Sequence, residues 1–246
     1  SSDLASIKGF DAFVRASMEH GYEKIIRGED LGCMVKVNDQ NYRDLYTAFK
    51  GVVKRVGIEE PEFYIYNDPV MNAYTYGETN TFIAVSNSLG ERLTIDEVRS
   101  VIAHECGHIL CKHTFYNTLL RTIEELGLWF QLISYTAFAP ILMGLQYWSR
   151  KSEYSADRCA AAVVGERTSQ TSMLKLASGM AEIQGSPYQL VEQAKEYHRF
   201  VNDSWWNRIQ QNCRVAFNSH PQICERAWEI DRWKNSWAYR RLIQTS

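Results

Sequence analysis

The sequence predicts an α+β fold, mostly helical with a small antiparallel or mixed sheet, and three observations point that way. A helical apolar stripe occupies residues 42–56, three short aromatic and β-branched runs lie between residues 62 and 86, and helical periodicity holds from residue 94 onward. No repeat, low-complexity tract or linker interrupts the 246 residues. A single domain over residues 1–246 is therefore expected, with N-terminal helices over about 1–60 and a core over about 61–230.

Each element has a local cause. In residues 42–56, Leu45, Phe49, Val52, Val53 and Val56 share one helical face, and Gly57 is placed to stop the helix. The period then changes. Glu62-Phe63-Tyr64-Ile65-Tyr66 is rich in strand-forming residues and is closed by Asn67-Asp68-Pro69. Residues 72–76 and 81–86, separated by Gly77-Glu78-Thr79-Asn80, read as a hairpin. Thr94-Ile95-Asp96-Glu97 is a capping box, and Ile95, Val98, Ile102, Cys106 and Ile109 form one stripe of the helix it opens. A second helix is expected over about 150–164, ended by Gly165, and further helices over 172–183, 188–217 and 221–243. Residues 126–149 carry no charge, but Pro140, Gln131, Ser134, Gln146 and Ser149 interrupt the run. Two shorter helices joined near Pro140 fit better than a membrane span, packed in the core or making peripheral contact with a membrane face.

Composition excludes some classes. Lys+Arg 27 against Asp+Glu 29 leaves a charge of -2, with none of the basic excess of a nucleic-acid binder. Six cysteines (Cys33, Cys106, Cys111, Cys159, Cys213, Cys224) form no CxxC pair. They read as reduced, mostly buried thiols of an intracellular, cytoplasmic protein. Trp205, Trp206, Trp228, Trp233 and Trp237 read as helix packing.

The chemistry lies in His104-Glu105-Cys106-Gly107-His108, an HExxH pattern inside the helix capped at Thr94. A spacing of four puts both imidazoles on one face, a turn apart, where they can chelate one zinc ion. Glu105 can direct a carboxylate at water on that metal, as a general base. The metzincin pattern needs a Gly at 111 and a His at 114, where this chain has Cys111 and Thr114. His113, five residues past His108, should face roughly 140° away around the helix. Glu153 and Asp157 are four apart on the next chemically marked helix. One can bind the metal while the other accepts a hydrogen bond from a ligand imidazole; the bland reading is exposed acids pairing with Arg150 or Arg158.

Four blocks resemble the M48-type zinc metallopeptidases, the HtpX-like and Ste24-like gluzincins: Asn72-Ala73-Tyr74 with Gly77 and Ile83-Ala84-Val85; Val101-Ile102-Ala103-His104-Glu105 with Gly107-His108; Arg150, Glu153, Ala156 and Asp157; and Ser219-His220-Pro221 with Glu225-Arg226. The resemblance implies a zincin-like metallopeptidase domain holding one Zn2+ on His104, His108 and Glu153, with Asp157 behind a ligand. It further implies that His220 steadies the oxyanion, although a plain helix-start residue before Pro221 remains an alternative. Asn72, Ala73, Tyr74 and Ala84 are implied to bind substrate, with Ala84 on an edge strand that pairs with an extended peptide. The expected function is a zinc-dependent endopeptidase acting on extended or unfolded polypeptides. The alternative is a proteolytically silent or self-inhibited zinc-containing peptide-binding module.

Overall fold

The computed structural model describes the backbone of residues 28, 32–77, 80–114, 135–216 and 221–244. Its first strand, β1 (Val35–Lys36), falls within the stretch expected to be helical. Only two residues long, it carries no periodicity for a sequence pattern to reveal, and it is held by antiparallel pairing with Ile65 and Tyr64. Helix α1 (Arg43–Val56) follows, and Gly57 at φ 76° ends it by donating its N–H to the Val53 carbonyl.

Strands β2 (Glu62–Tyr66), β3 (Ala73–Tyr76) and β4 (Phe82–Ser86) complete a sheet of order β1-β2-β4-β3. The expected β3–β4 antiparallel pair is present, and β4 also pairs parallel with β2, so the sheet is mixed. Alternation assigns the two faces. Phe63, Ile83 and Val85 pack inward with Phe49, Val52, Val98, Ile102 and Cys106, while Tyr64, Tyr76, Phe82 and Ala84 form an aromatic cluster on the other face.

Beyond the short helix α2 (Asn87–Arg92) runs α3 (Ile95–Leu110), opened by the expected capping box. Val98, Ile102 and Cys106 of its predicted stripe are buried, whereas Ile95, on the first turn, is exposed. Helix α4 (Tyr135–Val164) is continuous through Pro140, where a junction of two helices was expected. Proline removes one helical N–H, and packing of the rest of α4 along α3 outweighs that single loss. Residues 126–134 of the uncharged run lie outside the described residues. No helix among the described residues is long and apolar enough to cross a membrane.

Helices α5 (Glu166–Ser178), α6 (Tyr188–Asp203), α7 (Trp205–Ala216), α8 (Ile223–Lys234) and α9 (Trp237–Gln244) complete the described chain. The two long helices expected over 188–217 and 221–243 are each divided. Ser204 is extended and its hydroxyl accepts the Asn207 N–H at 3.0 Å, and Ser236 accepts the Tyr239 N–H at 3.3 Å. Both breaks are serine N-caps, a local signal stronger than apolar periodicity continuing across it. Trp228 and Trp233 pack against Leu190, Val191, Ala227 and Ile230 as expected. Trp205, Trp206 and Trp237 are instead exposed at 71%, 57% and 72%.

Candidate functional site

The site forms where α3 and α4 meet. The N-terminus of α3 is fixed by Glu97, whose Oε2 accepts the Thr94 N–H at 2.7 Å and the Lys175 Nζ of α5 at 2.8 Å. Further along, Gly107 lets the two helices touch. A Cβ there would lie 2.9 Å from Ala156 Cα and 2.9 Å from Cys159 Cβ, so no larger residue fits without movement. On either side of that contact stand the candidate site residues: His104 and His108 from α3, Glu153 and Asp157 from α4.

These side chains converge. His104 Nε2 and His108 Nε2 are 3.2 Å apart, and the Glu153 carboxylate lies 3.5 Å from the first and 3.4 Å from the second. Ligands about 2.0–2.2 Å from a tetrahedral zinc ion stand roughly 3.3 Å from one another, so this donor set fits zinc in both chemistry and spacing. Glu153 and His108 are buried and His104 is nearly so, which limits competing water.

A hydrogen-bond network supports the donors. His104 Nδ1–H donates to Asp157 Oδ1 at 2.9 Å, which leaves Nε2 directed at the cluster. Asp157 in turn accepts two bonds from Arg226 of α8, Nε to Oδ2 at 2.8 Å and Nη2 to Oδ1 at 2.6 Å. Arg226 Nη1 also lies 3.2 Å from Glu153 Oε2. Burial opposes the charge on Asp157, but the guanidinium beside it wins and holds its carboxyl below the usual range. Burial likewise pulls the His104 imidazole down, and hydrogen bonds to Asp157 and Glu153 overcome it and raise the group to about 10 in the metal-free chain. The bland reading of Glu153 and Asp157 as exposed acids is thereby replaced: both are buried, and their cation is Arg226.

Glu105 is buried at the opposite flank, where Thr75 Oγ1 of β3 donates to its Oε2 at 2.7 Å. His113 does not face away. Helix α3 stops at Leu110, Lys112 takes a left-handed φ of 56°, and the His113 N–H reaches back to the His108 carbonyl at 2.8 Å. This turn returns the His113 ring to His108, with the two Nδ1 atoms 3.2 Å apart. Burial, with the neighbouring His108 next in effect, pushes His113 down to about 4.

Other expected residues stand differently. Ala84 is not on an edge: β4 is flanked by β2 and β3, and Ala84 is fully buried. The edge strand beside α3 is β3, β1 lying at the other edge, with Ala73 and Thr75 on the face toward α3 and Tyr74 in the aromatic cluster on the other face. Asn72, just before β3, donates its backbone N–H to Ser86 Oγ at 2.9 Å. His220 lies outside the described residues. Thr75, His113 and Arg226 make contacts with the candidate site to which the sequence reading assigned no role. Arg226 stood in a recognised block, but its contact with Asp157, 69 positions earlier in the chain, has no local signature.

The profile of Peptidase family M48 matches residues 39–234. Plastoglobule-localized metallopeptidase 48, chloroplastic, of Arabidopsis thaliana is 32% identical over 252 residues, covering 98% of this chain and 71% of its own length. Protease HtpX of Pseudomonas fluorescens is 27% identical over 209 residues, covering 73% of this chain and 68% of its own. The solved Ste24p of S. mikatae aligns with 80% of this chain and 52% of its own, at 16% identity and a TM-score of 0.49, so the chain spans about half the length of that protein. With a family match across most of its length and a metallopeptidase relative aligned nearly end to end, this chain belongs to peptidase family M48.

Proposed function

We propose that the chain is an endopeptidase that takes one zinc ion on His104, His108 and Glu153 and cleaves peptide bonds in extended or unfolded polypeptides. The observation that carries this reading is the set of three donors at 3.2, 3.4 and 3.5 Å from one another, on two helices pinned together at Gly107. Zinc, when bound, supplies Lewis acidity to a scissile carbonyl and to water. Glu105 takes the proton from the attacking water and returns it to the leaving amine, and Thr75 fixes the orientation of that carboxylate by occupying Oε2. Asp157 keeps the His104 proton on Nδ1. Strand β3, at the sheet edge and above α3, offers its backbone to an extended peptide. His220 is assigned the oxyanion, on the family resemblance.

The test is digestion of unfolded casein by wild type and Glu105→Gln, with and without a chelator, beside zinc content of wild type and Glu153→Ala. Wild type and Glu105→Gln should carry zinc, Glu153→Ala should lose it, and Glu105→Gln should fall about 10²–10⁴-fold in kcat. Cleavage that survives both the chelator and Glu105→Gln removes the mechanism. Full zinc occupancy in wild type without cleavage favours a silent module or a self-inhibited zymogen over the active endopeptidase.

A further inference from the structure

The two imidazole donors are supported unequally. His104 has the Asp157 carboxylate behind it, itself held by Arg226. Behind His108 stands no carboxylate among the contacts described for its Nδ1, but the Nδ1 of His113 at 3.2 Å. Two ring nitrogens at that separation share a single proton, since two bare lone pairs would repel and two N–H groups would clash. His108 turns its Nε2 toward Glu153 and His104, and a nitrogen that ligates a metal must be unprotonated. The His108 proton therefore sits on Nδ1, where it is donated to His113, and His113 carries its own proton on Nε2.

The placement of His113 is built, not incidental. Its ring meets Trp148 of α4 edge to face at 5.2 Å and 88°, its backbone N–H is bonded to the His108 carbonyl, and Lys112 holds a left-handed conformation that a non-glycine residue rarely adopts. Only 8% of His113 is exposed. A histidine serving merely to fill space beside Trp148 has no need for its Nδ1 to be aligned with that of the ligand.

Resting on the zinc reading above, we propose that His113 is the positioning residue of His108: a neutral acceptor that fixes the tautomer and ring orientation of the second imidazole donor, as Asp157 does for the first. Outer partners of this kind contribute about 10–100-fold to metal affinity. Pairing one donor with an anion and the other with a neutral ring makes His104 the more basic ligand and His108 the weaker one.

The experiment is a titration of Zn2+ into the metal-free full chain against a competing chelator, for wild type, His113→Phe and His113→Asn. Phenylalanine keeps a ring against Trp148 but has no acceptor. Asparagine places Oδ1 where Nδ1 was. His113→Phe should weaken Zn2+ binding about 10–100-fold, while His113→Asn stays within about threefold of wild type. Wild-type affinity in His113→Phe, or an equal loss in His113→Asn, overturns the assignment while leaving the zinc centre standing. Failure of wild type to bind Zn2+ removes the metal reading and this one with it. If His113→Phe does not fold, ring ¹⁵N shifts of zinc-loaded wild type decide: His108 Nδ1 should be protonated and His113 Nδ1 bare, and the reverse refutes the proposal.

Discussion

Replacing Gly107 by alanine tests whether helix contact sets the spacing of the metal donors. The new methyl group would stand 2.9 Å from both Ala156 Cα and Cys159 Cβ, against the 3.4 Å at which ordinary contact begins. Neither obstacle is the far end of a flexible side chain, so α3 and α4 must part locally by about 0.5 Å. Overpacking of this kind costs about 1–3 kcal/mol. The same movement carries His104 and His108 away from Glu153, and metal–ligand distances tolerate only about 0.2 Å. Zinc affinity should then fall at least about tenfold, equivalent to roughly 1.4 kcal/mol. Urea unfolding of the metal-free protein reads the first effect, and chelator competition reads the second. An alanine variant that unfolds and titrates like wild type would show that the helices separate without cost and that their contact does not set the donor geometry.

Other outcomes follow from the supporting network. Arg226→Met removes the guanidinium that Asp157 and Glu153 share, leaving the His104 ring beside them, and should cost about 3–5 kcal/mol in urea unfolding; a loss under about 1 kcal/mol would contradict the role given to Arg226. Thr94→Ala removes one half of the cap on α3 and should cost about 1 kcal/mol by the same measurement, with no change expected if the Glu97–Lys175 contact alone holds the helix start. Burial first, then the neighbouring Cys111, pushes the Cys159 thiol up to about 11. At pH 8 about one Cys159 in a thousand is thiolate, so its alkylation should be slow and should accelerate as pH rises toward 11. Mass spectrometry after iodoacetamide should find exposed Cys33 modified first, and equal labelling of both would refute the burial argument.

The candidate metal ligands were legible in pairs because each pair obeys one periodicity, while the choice of Glu153 over Asp157 rested on the family resemblance. His104 and His108 share a face of α3, Glu153 and Asp157 share a face of α4, and a spacing of four suffices to say so. Reading failed wherever chain direction departed from that period. His113 was extrapolated along a helix that had already ended, and the left-handed turn at Lys112 has no glycine to announce it. The strands were located from composition, but their order was not, since the parallel pairing of β2 with β4 is a non-local choice. That choice moves Ala84 to the interior and leaves β3 at the edge. Arg226 illustrates the same limit in electrostatics: its role depends on α8 docking beside α4, which its charge alone does not foretell.

Under the proposed function, the short β3 edge bears on what could be cut. β3 is four residues long, and alternate residues turn their amide groups toward β4, so among the described residues two remain to meet a second chain, through about four hydrogen bonds. At roughly 0.5–1.5 kcal/mol each, such a grip is too slight to pull a strand out of a folded partner. It suits the substrate proposed above, a polypeptide already unravelled, and among the described residues β3 is too brief a template for copies of the chain to stack along this margin.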